Sequence, residues 1–271
     1  TRQSFADQRL LVYGAGTAGT GIADQIREAM ISDGLSQQEA IDRIWLIDRN
    51  GLVTDDMEGL PDYQEPYAKP VGKVRHWARI NGHIGLMEAI RQIHPTILVG
   101  TSTDHDAFTQ QIVEEMCREV ERPIILPLSN PTEKIEAMPT DVIAWSKGKA
   151  LVSAGIPIEP FHYAGTRYEI GQGNNALLYP GLGLGAIVSG AERVSDSMIR
   201  AAADAVASQV DPRPAGSSLL PAVENLRASS ATVAVAVVQA AIEEGIATKK
   251  PSNVVQAVQD AMWWPHYPPV D

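Results

Sequence analysis

A glycine-rich turn near the start of the chain limits most strongly how this sequence can fold. The turn reads Gly14-Ala15-Gly16-Thr17-Ala18-Gly19, a GxGxxG pattern. The apolar run at residues 10–13 precedes it, and helix-compatible sequence follows it to about Met30. A short buried strand that enters a glycine turn and continues as a helix is the start of a βαβ unit. In that setting the sequence predicts a turn that binds the phosphates of a dinucleotide.

Each glycine of the pattern has a separate physical task. Gly14 permits the tight turn, Gly16 lets the backbone approach a pyrophosphate, and Gly19 lets the helix lie close to the sheet. Thr17 and Ala18 lie in the first helical turn, whose N–H groups have no intrahelical acceptor and can bind phosphate oxygens. The alternative interpretation is an ordinary glycine turn without a ligand.

An acid at the end of the next strand completes the dinucleotide pattern. Residues 44–47 form the strand candidate, and Asp48 follows it. The spacing from Gly14 exceeds the usual ~20 residues, because Ser36 and Glu39 predict a capping box and an additional short helix. The Asp48 carboxylate can accept hydrogen bonds from a ribose diol, which favours NAD, whereas the adjacent Arg49 keeps NADP possible.

The rest of the chain alternates strands and helices before it becomes purely helical. Further strand candidates are residues 95–100, 123–128 and 150–153, with helices at 85–93 and 106–119. The polar stretch at residues 50–81 is interpreted as loop with one exposed helix. This alternation predicts an α/β fold with a Rossmann-like, doubly wound parallel sheet. Additional helices are predicted at 180–191, 195–208 and 221–244, and we expect one domain over residues 1–271 with a helical extension from about 220.

Polar loops follow the later strands, where ligands bind in open parallel sheets. Thr101 and Ser102 follow the third strand, and Asn130 precedes a proline after the fourth. A third polar loop contains Asn174 and Asn175. Ser, Thr, Asn and Pro are also common in turns without any ligand, but their place behind a dinucleotide turn favours a binding site.

Composition excludes several other functions. The chain has 22 Lys and Arg against 33 Asp and Glu, with a net charge of -11, which argues against nucleic-acid binding. Its single cysteine, Cys117, excludes an intrachain disulfide, and its mid-helix position favours packing over nucleophilic chemistry. Apolar runs shorter than the ~20 residues of a membrane span and the lack of a leader predict a cytoplasmic protein.

The residues that would complete a reaction are not evident. The sequence has no HxxxH motif and no lysine in an apolar segment. Two acidic clusters are interpreted as solvated surface, namely Asp55-Asp56 with Glu58 and Asp104-His105-Asp106. The residues alone therefore predict dinucleotide binding without a general base or a metal site.

Four segments carry a resemblance to a known family. They are GAGTAGTGIADQI, IWLIDRNGL, ERPIILPLSNPT and GQGNNALLYPGLGLGA. Together they resemble the carboxyl-terminal NAD-binding domain of malic enzymes over residues 5–267. GIPI at residues 155–158, the GTST loop and the AVQDAMW tail are most similar to the malolactic branch. Both branches bind L-malate, NAD and Mn²⁺ or Mg²⁺. Malic enzymes release pyruvate, CO₂ and NADH, whereas malolactic enzymes release L-lactate and CO₂ and keep the cofactor bound.

The resemblance implies a role for each matching residue. Gly14, Gly16, Gly19 and Asp48 would hold NAD, and Asn174 would contact the nicotinamide amide. Asn130 and Asn175 would bind malate.

The resemblance also implies that catalysis needs residues outside this chain. The family's Tyr and Lys acid/base pair and its Glu-Asp-Asp metal ligands lie amino-terminal to the glycine turn, and residues 1–13 supply none of them. We therefore expect the metal-binding domain to be missing and no malate turnover by this chain alone. A homo-oligomer is a separate expectation.

Two alternatives remain open from the residues. One is an NAD-binding module without chemistry, and the other is a two-domain dehydrogenase whose helical half binds substrate. The aromatic tail at residues 262–269 either packs on its own domain or docks against another domain or subunit.

Overall fold

The structure is a computed structural model that describes residue 1 and residues 3–264. The chain divides into two compact units. The sheet unit comprises Thr1–Gly173 and Arg213–Leu219, and the helical unit comprises Asn174–Pro212 and Leu220–Asp271.

The sheet unit is built on a seven-stranded sheet. Its strands are β1 (Leu10–Tyr13), β2 (Ile44–Asp48), β3 (Gly51–Leu52), β4 (Ile97–Gly100), β5 (Ile124–Pro127), β6 (Leu151–Ala154) and β9 (Gly171–Gln172). A separate antiparallel hairpin of β7 (Phe161–Tyr163) and β8 (Thr166–Tyr168) lies between β6 and β9 in the chain. The strand order of the seven-stranded sheet is β3-β2-β1-β4-β5-β6-β9, and every pairing within it is parallel except that of β2 with β3. The predicted Rossmann-like parallel sheet is confirmed.

Helices connect these strands. They are α1 (Thr17–Ser32), α2 (Gln37–Asp42), α3 (Val71–Val74), α4 (Leu86–Ile93), α5 (Gln110–Glu119) and α6 (Pro139–Trp145).

Both faces of the sheet are buried because neighbouring residues of each strand point to opposite sides. In β1, Leu11 belongs to one apolar cluster, whereas Leu10 and Val12 belong to the other. All three side chains are fully buried. This explains why the strands are nearly all apolar rather than alternating, and it leaves polar chemistry to the loops at the strand ends.

Local sequence signals set several helix ends. The predicted capping box is confirmed, since the Ser36 hydroxyl accepts from the Glu39 amide and the Glu39 carboxylate accepts from the Ser36 amide. The prediction that a helix begins at residue 106 is wrong. The Thr109 side chain accepts from the Ile112 amide and starts α5 only at Gln110, because a β-region cap residue fixes where a helix begins.

The prediction of a polar loop with one exposed helix at residues 50–81 is incomplete. This stretch contains β3 and α3, and the side chains of Tyr67 and Lys69 are almost completely buried. Most of its residues are polar or proline, so hydrophobicity averaged over a window does not detect the single side chains that pack against the sheet.

The helical unit comprises α7 (Tyr179–Ser189), α8 (Asp196–Ala207), α9 (Leu226–Glu244) and α10 (Val254–Ala261). A Cβ atom at Gly181 would lie 2.5 Å from Val233 Cβ, and one at Gly185 would lie 2.6 Å from Val237 Cβ. These two glycines therefore allow α7 and α9 to pack at close range. The ambiguous run at residues 232–238 is helical, as predicted.

One helical segment reaches the length of a membrane span, although its uninterrupted apolar runs are short, as predicted. The helical segment Val223–Glu244 is long and apolar enough to cross a membrane by length and composition. Val233, Val237 and Ala241 on it are fully buried against the other helices of the unit. A helix that forms the centre of a helical core passes the same test, because such a helix is apolar around most of its circumference.

Candidate functional site

The turn after β1 is fixed by two backbone hydrogen bonds and two close approaches. The Gly14 and Ala15 amides both donate to the Ile47 carbonyl, at 2.9 and 3.1 Å. Gly14 has φ +110°, and a Cβ there would lie 2.4 Å from the Thr101 carbonyl carbon. A Cβ at Gly19 would lie 2.2 Å from the Gly14 carbonyl oxygen. Contacts within the protein therefore require glycine at both positions.

Gly16 differs from these two glycines. It is the N-cap of α1 and has no side-chain cap. Apart from its chain neighbours and the backbone of its own helix, no atom of the described residues lies within 4 Å of where its Cβ would be. Gly16, Thr17 and Ala18 are all exposed. The open side of the turn thus presents the first amides of a 16-residue helix, which is the arrangement that binds phosphate.

Asp48 lies at the end of β2 and is held by a residue that sequence reasoning missed. The Gln64 Nε2 atom donates to Asp48 Oδ2 at 2.9 Å and to the Ala15 carbonyl at 2.6 Å. Asp48 Oδ1 accepts from the Arg49 amide at 2.8 Å. Gln64 is buried, whereas Asp48 is half-buried and Arg49 is exposed. One buried amide therefore joins the turn to the acid predicted to bind ribose.

The loop after β4 lies directly against the turn. Thr101 Oγ1 donates to the Gly14 carbonyl at 2.7 Å, and the Thr101 amide donates to the Tyr13 carbonyl at 2.8 Å. The structure thus brings together Thr101 and the glycine turn, which are far apart in the sequence.

Glu136 is a second residue that sequence reasoning missed. It is 0% exposed, and its carboxylate accepts hydrogen bonds from both Ser102 and Ser129. The only sequence signal is an acid inside the apolar run at residues 135–138. An isolated acid in such a run indicates a buried, hydrogen-bonded carboxylate.

The three predicted asparagines occupy two units. Asn130 is exposed and follows Ser129 in the sheet unit. Asn174 and Asn175 belong to the helical unit, where Asn174 Oδ1 accepts from the Ala176 amide at 2.9 Å and Asn175 is exposed. The amide group of Asn175 is therefore accessible, and that of Asn174 has its oxygen engaged locally.

The Asp104-His105-Asp106 cluster is exposed, as predicted, and Asp104 also makes a specific contact. The Tyr13 hydroxyl donates to Asp104 Oδ2 at 2.8 Å. Burial raises the pKa of Tyr13, and the hydrogen bond to Asp104 raises it further. His105 Nδ1 lies 3.2 Å from the Ile135 carbonyl. Asp104 thus ties its loop to the last residue of β1.

The other acidic cluster is local to its loop. Asp55 Oδ1 accepts from the Val71 amide at 2.8 Å, Asp56 Oδ1 accepts from the Thr54 hydroxyl at 2.6 Å, and Glu58 is exposed. These contacts shape the loop, and all three acids are exposed, as predicted.

Sequence reasoning missed a buried lysine. Lys69 is 2% exposed, its Nζ donates to the Ile41 carbonyl at 2.6 Å, and Nζ lies 4.7 Å from the centre of the Trp45 ring. Burial lowers its pKa to about 8. The ammonium binds the end of α2 and an aromatic face, which gives it a structural role.

The remaining candidates for chemistry are limited. Burial raises the pKa of the Cys117 thiol, which disfavours the reactive thiolate and supports the predicted packing role. Among residue 1 and residues 3–264, no group of three or more His, Cys, Asp or Glu side chains could hold a metal ion.

The described part of the aromatic tail contacts α9. The Arg227 guanidinium lies 3.7 Å from the centre of the Trp264 ring and donates to the Trp263 carbonyl at 3.0 Å. Both indoles are exposed, at 72% and 66% for Trp263 and Trp264. Residues 265–269 of the predicted tail lie outside the described residues, so packing and docking both remain as predictions.

Comparisons with known proteins agree on the family. The family model "Malic enzyme, NAD binding domain" matches residues 1–242. The chain is 52% identical to NAD-dependent malic enzyme 3 of Bacillus subtilis over 97% of this chain and 47% of that protein. It is 50% identical to a putative NAD malate oxidoreductase of Mycobacterium tuberculosis, over 96% of this chain and 47% of that one. It is 44% identical to the malolactic enzyme of Lactococcus lactis, over 98% and 49%. The chain thus spans about half the length of the curated relatives it matches.

Two solved structures share the fold. The malic enzyme of Entamoeba histolytica superposes with a TM-score of 0.72 at 20% identity, over 96% of this chain and 48% of that one. The malic enzyme of Pyrococcus horikoshii gives 0.71 at 24% identity, over 96% and 53%.

Proposed function

Because this chain belongs to the malic enzyme NAD-binding domain family, we propose that it is the NAD-binding part of an enzyme that decarboxylates L-malate. The observation that carries the proposal is the turn after β1. There, exposed first-turn amides of α1 lie beside an acid held at the end of the neighbouring strand. The amide donors fit a pyrophosphate, and the carboxylate acceptor fits the hydroxyls of the adenosine ribose of a dinucleotide.

Different residues at the turn would bind different groups of the cofactor. The amides of Gly16, Thr17 and Ala18 would bind the pyrophosphate, whose negative charge the helix N-terminus stabilises. Asp48 would accept the ribose hydroxyls, with Gln64 fixing its orientation. A 2′-phosphate would meet the Asp48 carboxylate, so we propose NAD rather than NADP. Arg49 is the residue that could reduce this discrimination.

The asparagines would orient the reacting groups. Bound NAD supplies the hydride acceptor for the oxidation of malate. Asn130 and Asn175 would donate amide hydrogens to malate, and Asn174 would contact the nicotinamide amide. A neutral amide can bind a carboxylate without adding a charge that competes with a metal ion. Thr101 and Ser102 would form the wall beside the pyrophosphate.

The described residues include no cluster that could bind a divalent metal, and we identify no general base among them. Since the described residues contain no acidic cluster for a metal, we propose that a separate amino-terminal domain supplies Mn²⁺ or Mg²⁺ and the acid/base pair. Relatives about twice as long as the matched region support that division. We assign no proton transfer to a side chain of this chain.

We propose oxidative decarboxylation to pyruvate as the overall reaction. The relatives at 52% and 50% identity, both described as NAD-dependent malate oxidoreductases or malic enzymes, support it. The malolactic reaction is the second candidate. It is supported by the malolactic-like segment Gly155-Ile156-Pro157-Ile158 and by the 44% identical Lactococcus relative.

Binding and turnover test separate parts of the proposal. Calorimetry with the 271-residue chain is expected to show heat from NAD and much weaker heat from NADP. Absence of any heat from NAD would overturn the proposed function.

Turnover requires the product of the complete reading frame that contains this sequence, given malate, NAD and Mn²⁺. Pyruvate with NADH supports the malic reaction, and lactate without free NADH supports the malolactic one. NAD binding without turnover of malate would leave only a binding module. Size measurements and cell fractionation of the same protein test the proposed homo-oligomer and the proposed cytoplasmic location.

A further inference from the structure

We propose that Glu136 is a positioning residue that sets the cofactor loop and the substrate loop with one buried carboxylate. The cofactor loop is Thr101 and Ser102 after β4, and the substrate loop is Ser129 and Asn130 after β5. The inference rests on the proposed function, since it concerns how those loops are held for NAD and malate.

The carboxylate of Glu136 is fully occupied by donors from the two loops. Oε1 accepts from the Ser102 amide at 2.8 Å, the Ser102 hydroxyl at 2.9 Å and the Ser129 hydroxyl at 2.5 Å. Oε2 accepts from the Ser129 amide at 3.2 Å. A buried carboxylate is costly unless it is satisfied, and here four donors compensate for its burial. We call these three residues the Glu136 network.

The end of β4 is shaped to admit this carboxylate. A Cβ atom at Gly100 would lie 2.5 Å from Glu136 Cδ and 2.7 Å from Oε2. Gly100 has no positive φ, so its backbone conformation alone does not demand glycine. The requirement at this position is space for the acid.

The network continues to the phosphate-binding turn. Ser102 follows Thr101, whose hydroxyl donates to the Gly14 carbonyl at 2.7 Å. A Cβ at Gly14 would lie 2.5 Å from the Ser102 amide nitrogen. A shift of the Ser102 amide therefore moves atoms that touch the turn, so the acid acts on cofactor binding through Ser102 and Thr101.

The same network continues to the substrate loop. The Ser129 hydroxyl, besides donating to Glu136, accepts from the Thr103 amide at 2.9 Å. Ser129 is 5% exposed, whereas the next residue, Asn130, is exposed. The buried residue thus anchors the backbone from which the proposed malate ligand projects.

A neutral amide cannot replace the carboxylate in this network. Both amide N–H groups point at Glu136, and a carboxylate accepts at both oxygens. Gln at position 136 would offer one acceptor oxygen and one NH₂ group, so one backbone donor would face another donor. Charge-assisted bonds are also about twice as strong as neutral ones.

The test is NAD binding by Glu136→Gln in the 271-residue chain, measured by calorimetry at a temperature where the variant is folded. We expect the Kd for NAD to rise about tenfold or more, as for loss of one hydrogen bond to a charged group. Amide exchange followed by NMR should accelerate at Ser102 and Ser129. A purely structural role would lower the melting temperature but leave the Kd of the folded protein unchanged.

Ser146→Ala is the matched control. Ser146 is a buried serine, 1% exposed, whose hydroxyl accepts from the Ala150 amide at 3.2 Å. It should lose stability without a change in NAD affinity. If Glu136→Gln does not fold, Ser129→Ala takes its place and should raise the Kd about threefold relative to the control.

The outcomes separate this inference from the proposed function. Wild-type affinity for NAD in a folded Glu136→Gln, or in Ser129→Ala, overturns the positioning role while the proposed function stands. If the unmodified chain does not bind NAD, the proposed function fails. Amide exchange still tests the network in a chain that does not bind NAD. If exchange at Ser102 and Ser129 in Glu136→Gln equals that in the unmodified chain, the positioning role of Glu136 is overturned as well.

Discussion

Asp48 and Glu136 are carboxylates near the same end of the parallel sheet, but different groups satisfy their oxygens. Asp48 is half-buried and receives one donor from Gln64 and one from its neighbouring amide. Glu136 is fully buried and receives four donors from two loops. A carboxylate has about four acceptor sites. Asp48 therefore retains capacity for a ligand, whereas Glu136 has used its capacity within the protein.

The difference teaches how to separate binding from support in this site. An acid with spare acceptor capacity can exchange water for a ligand at little cost to folding. An acid whose capacity is filled by backbone amides contributes to stability and affects a ligand only through the loops that it holds. Variants of the two acids should therefore change different measurements.

The largest expected effect is on stability at position 136. Glu136→Ala leaves the Ser102 and Ser129 amides without their acceptor in a buried region, so we expect the free energy of unfolding to fall by about 3 kcal/mol. Urea denaturation with linear extrapolation measures it. Asp48→Ala is the paired variant and should change stability by less than about 0.5 kcal/mol. Equal losses in the two variants would contradict the comparison.

The buried ammonium group of Lys69 should make the free energy of unfolding depend on pH. Lys69 has a folded pKa of about 8 against an ordinary 10.5, so between these values the unfolded state binds more protons. The free energy of unfolding should then rise with pH from 8 towards 10, by at most about 1.4 kcal/mol per pH unit.

Two tyrosines should lower the free energy of unfolding at higher pH. Burial raises the pKa values of Tyr13 and Tyr67, so above pH 10 the folded state binds more protons and stability falls. Urea denaturation across pH 7.5–11 should show the rise and then the fall. Lys69→Met should remove the rise and keep the fall, and a rise that persists in this variant would refute the assignment.

The expected effect on binding is centred on Asp48. Asp48→Ala removes the acceptor proposed for the ribose hydroxyls, so the Kd for NAD should rise about tenfold with little change in stability. Discrimination against NADP should also decrease, because the repelling charge is gone. Calorimetry with both cofactors measures the two effects. Unaltered NAD affinity would remove Asp48 from the proposed site.

The smallest expected effect belongs to Gln64. Gln64→Leu keeps the side-chain volume but removes the bonds to Asp48 and to the Ala15 carbonyl, so NAD affinity should fall about threefold and stability by about 1 kcal/mol. Asp48 would then be less well oriented but still present. In the double variant with Asp48→Ala, Gln64→Leu should cause no further loss of NAD affinity, and an additive loss would show that the two residues act separately.

Sequence reasoning succeeded where the constraint was local. The strand, glycine turn and helix at residues 10–32 follow from neighbouring residues, as does the capping box of Ser36 and Glu39. Asp48 could be placed because it directly follows the apolar residues of the second strand. These features depend on backbone conformation and on contacts within a few residues, which a sequence pattern records directly.

The parts that sequence reasoning missed depend on contacts between distant segments. Gln64 reaches back to Ala15, and Glu136 reaches back to Ser102. Lys69 is buried against Ile41 and Trp45 although it lies in a polar stretch. Apart from the apolar run around Glu136, nothing within a short window distinguishes these side chains from solvated ones, because their partners are set by the tertiary fold.

The close approach of Gly100 to Glu136 makes these two positions a coupled pair in evolution. Alanine at position 100 would collide with the acid, and a shorter acid at position 136 would leave the loops beyond its reach. Each change alone should therefore lower stability, and a paired exchange that also moves a loop is needed to restore the fit. Natural drift of this site should therefore preserve glycine at position 100 for as long as glutamate is retained at position 136.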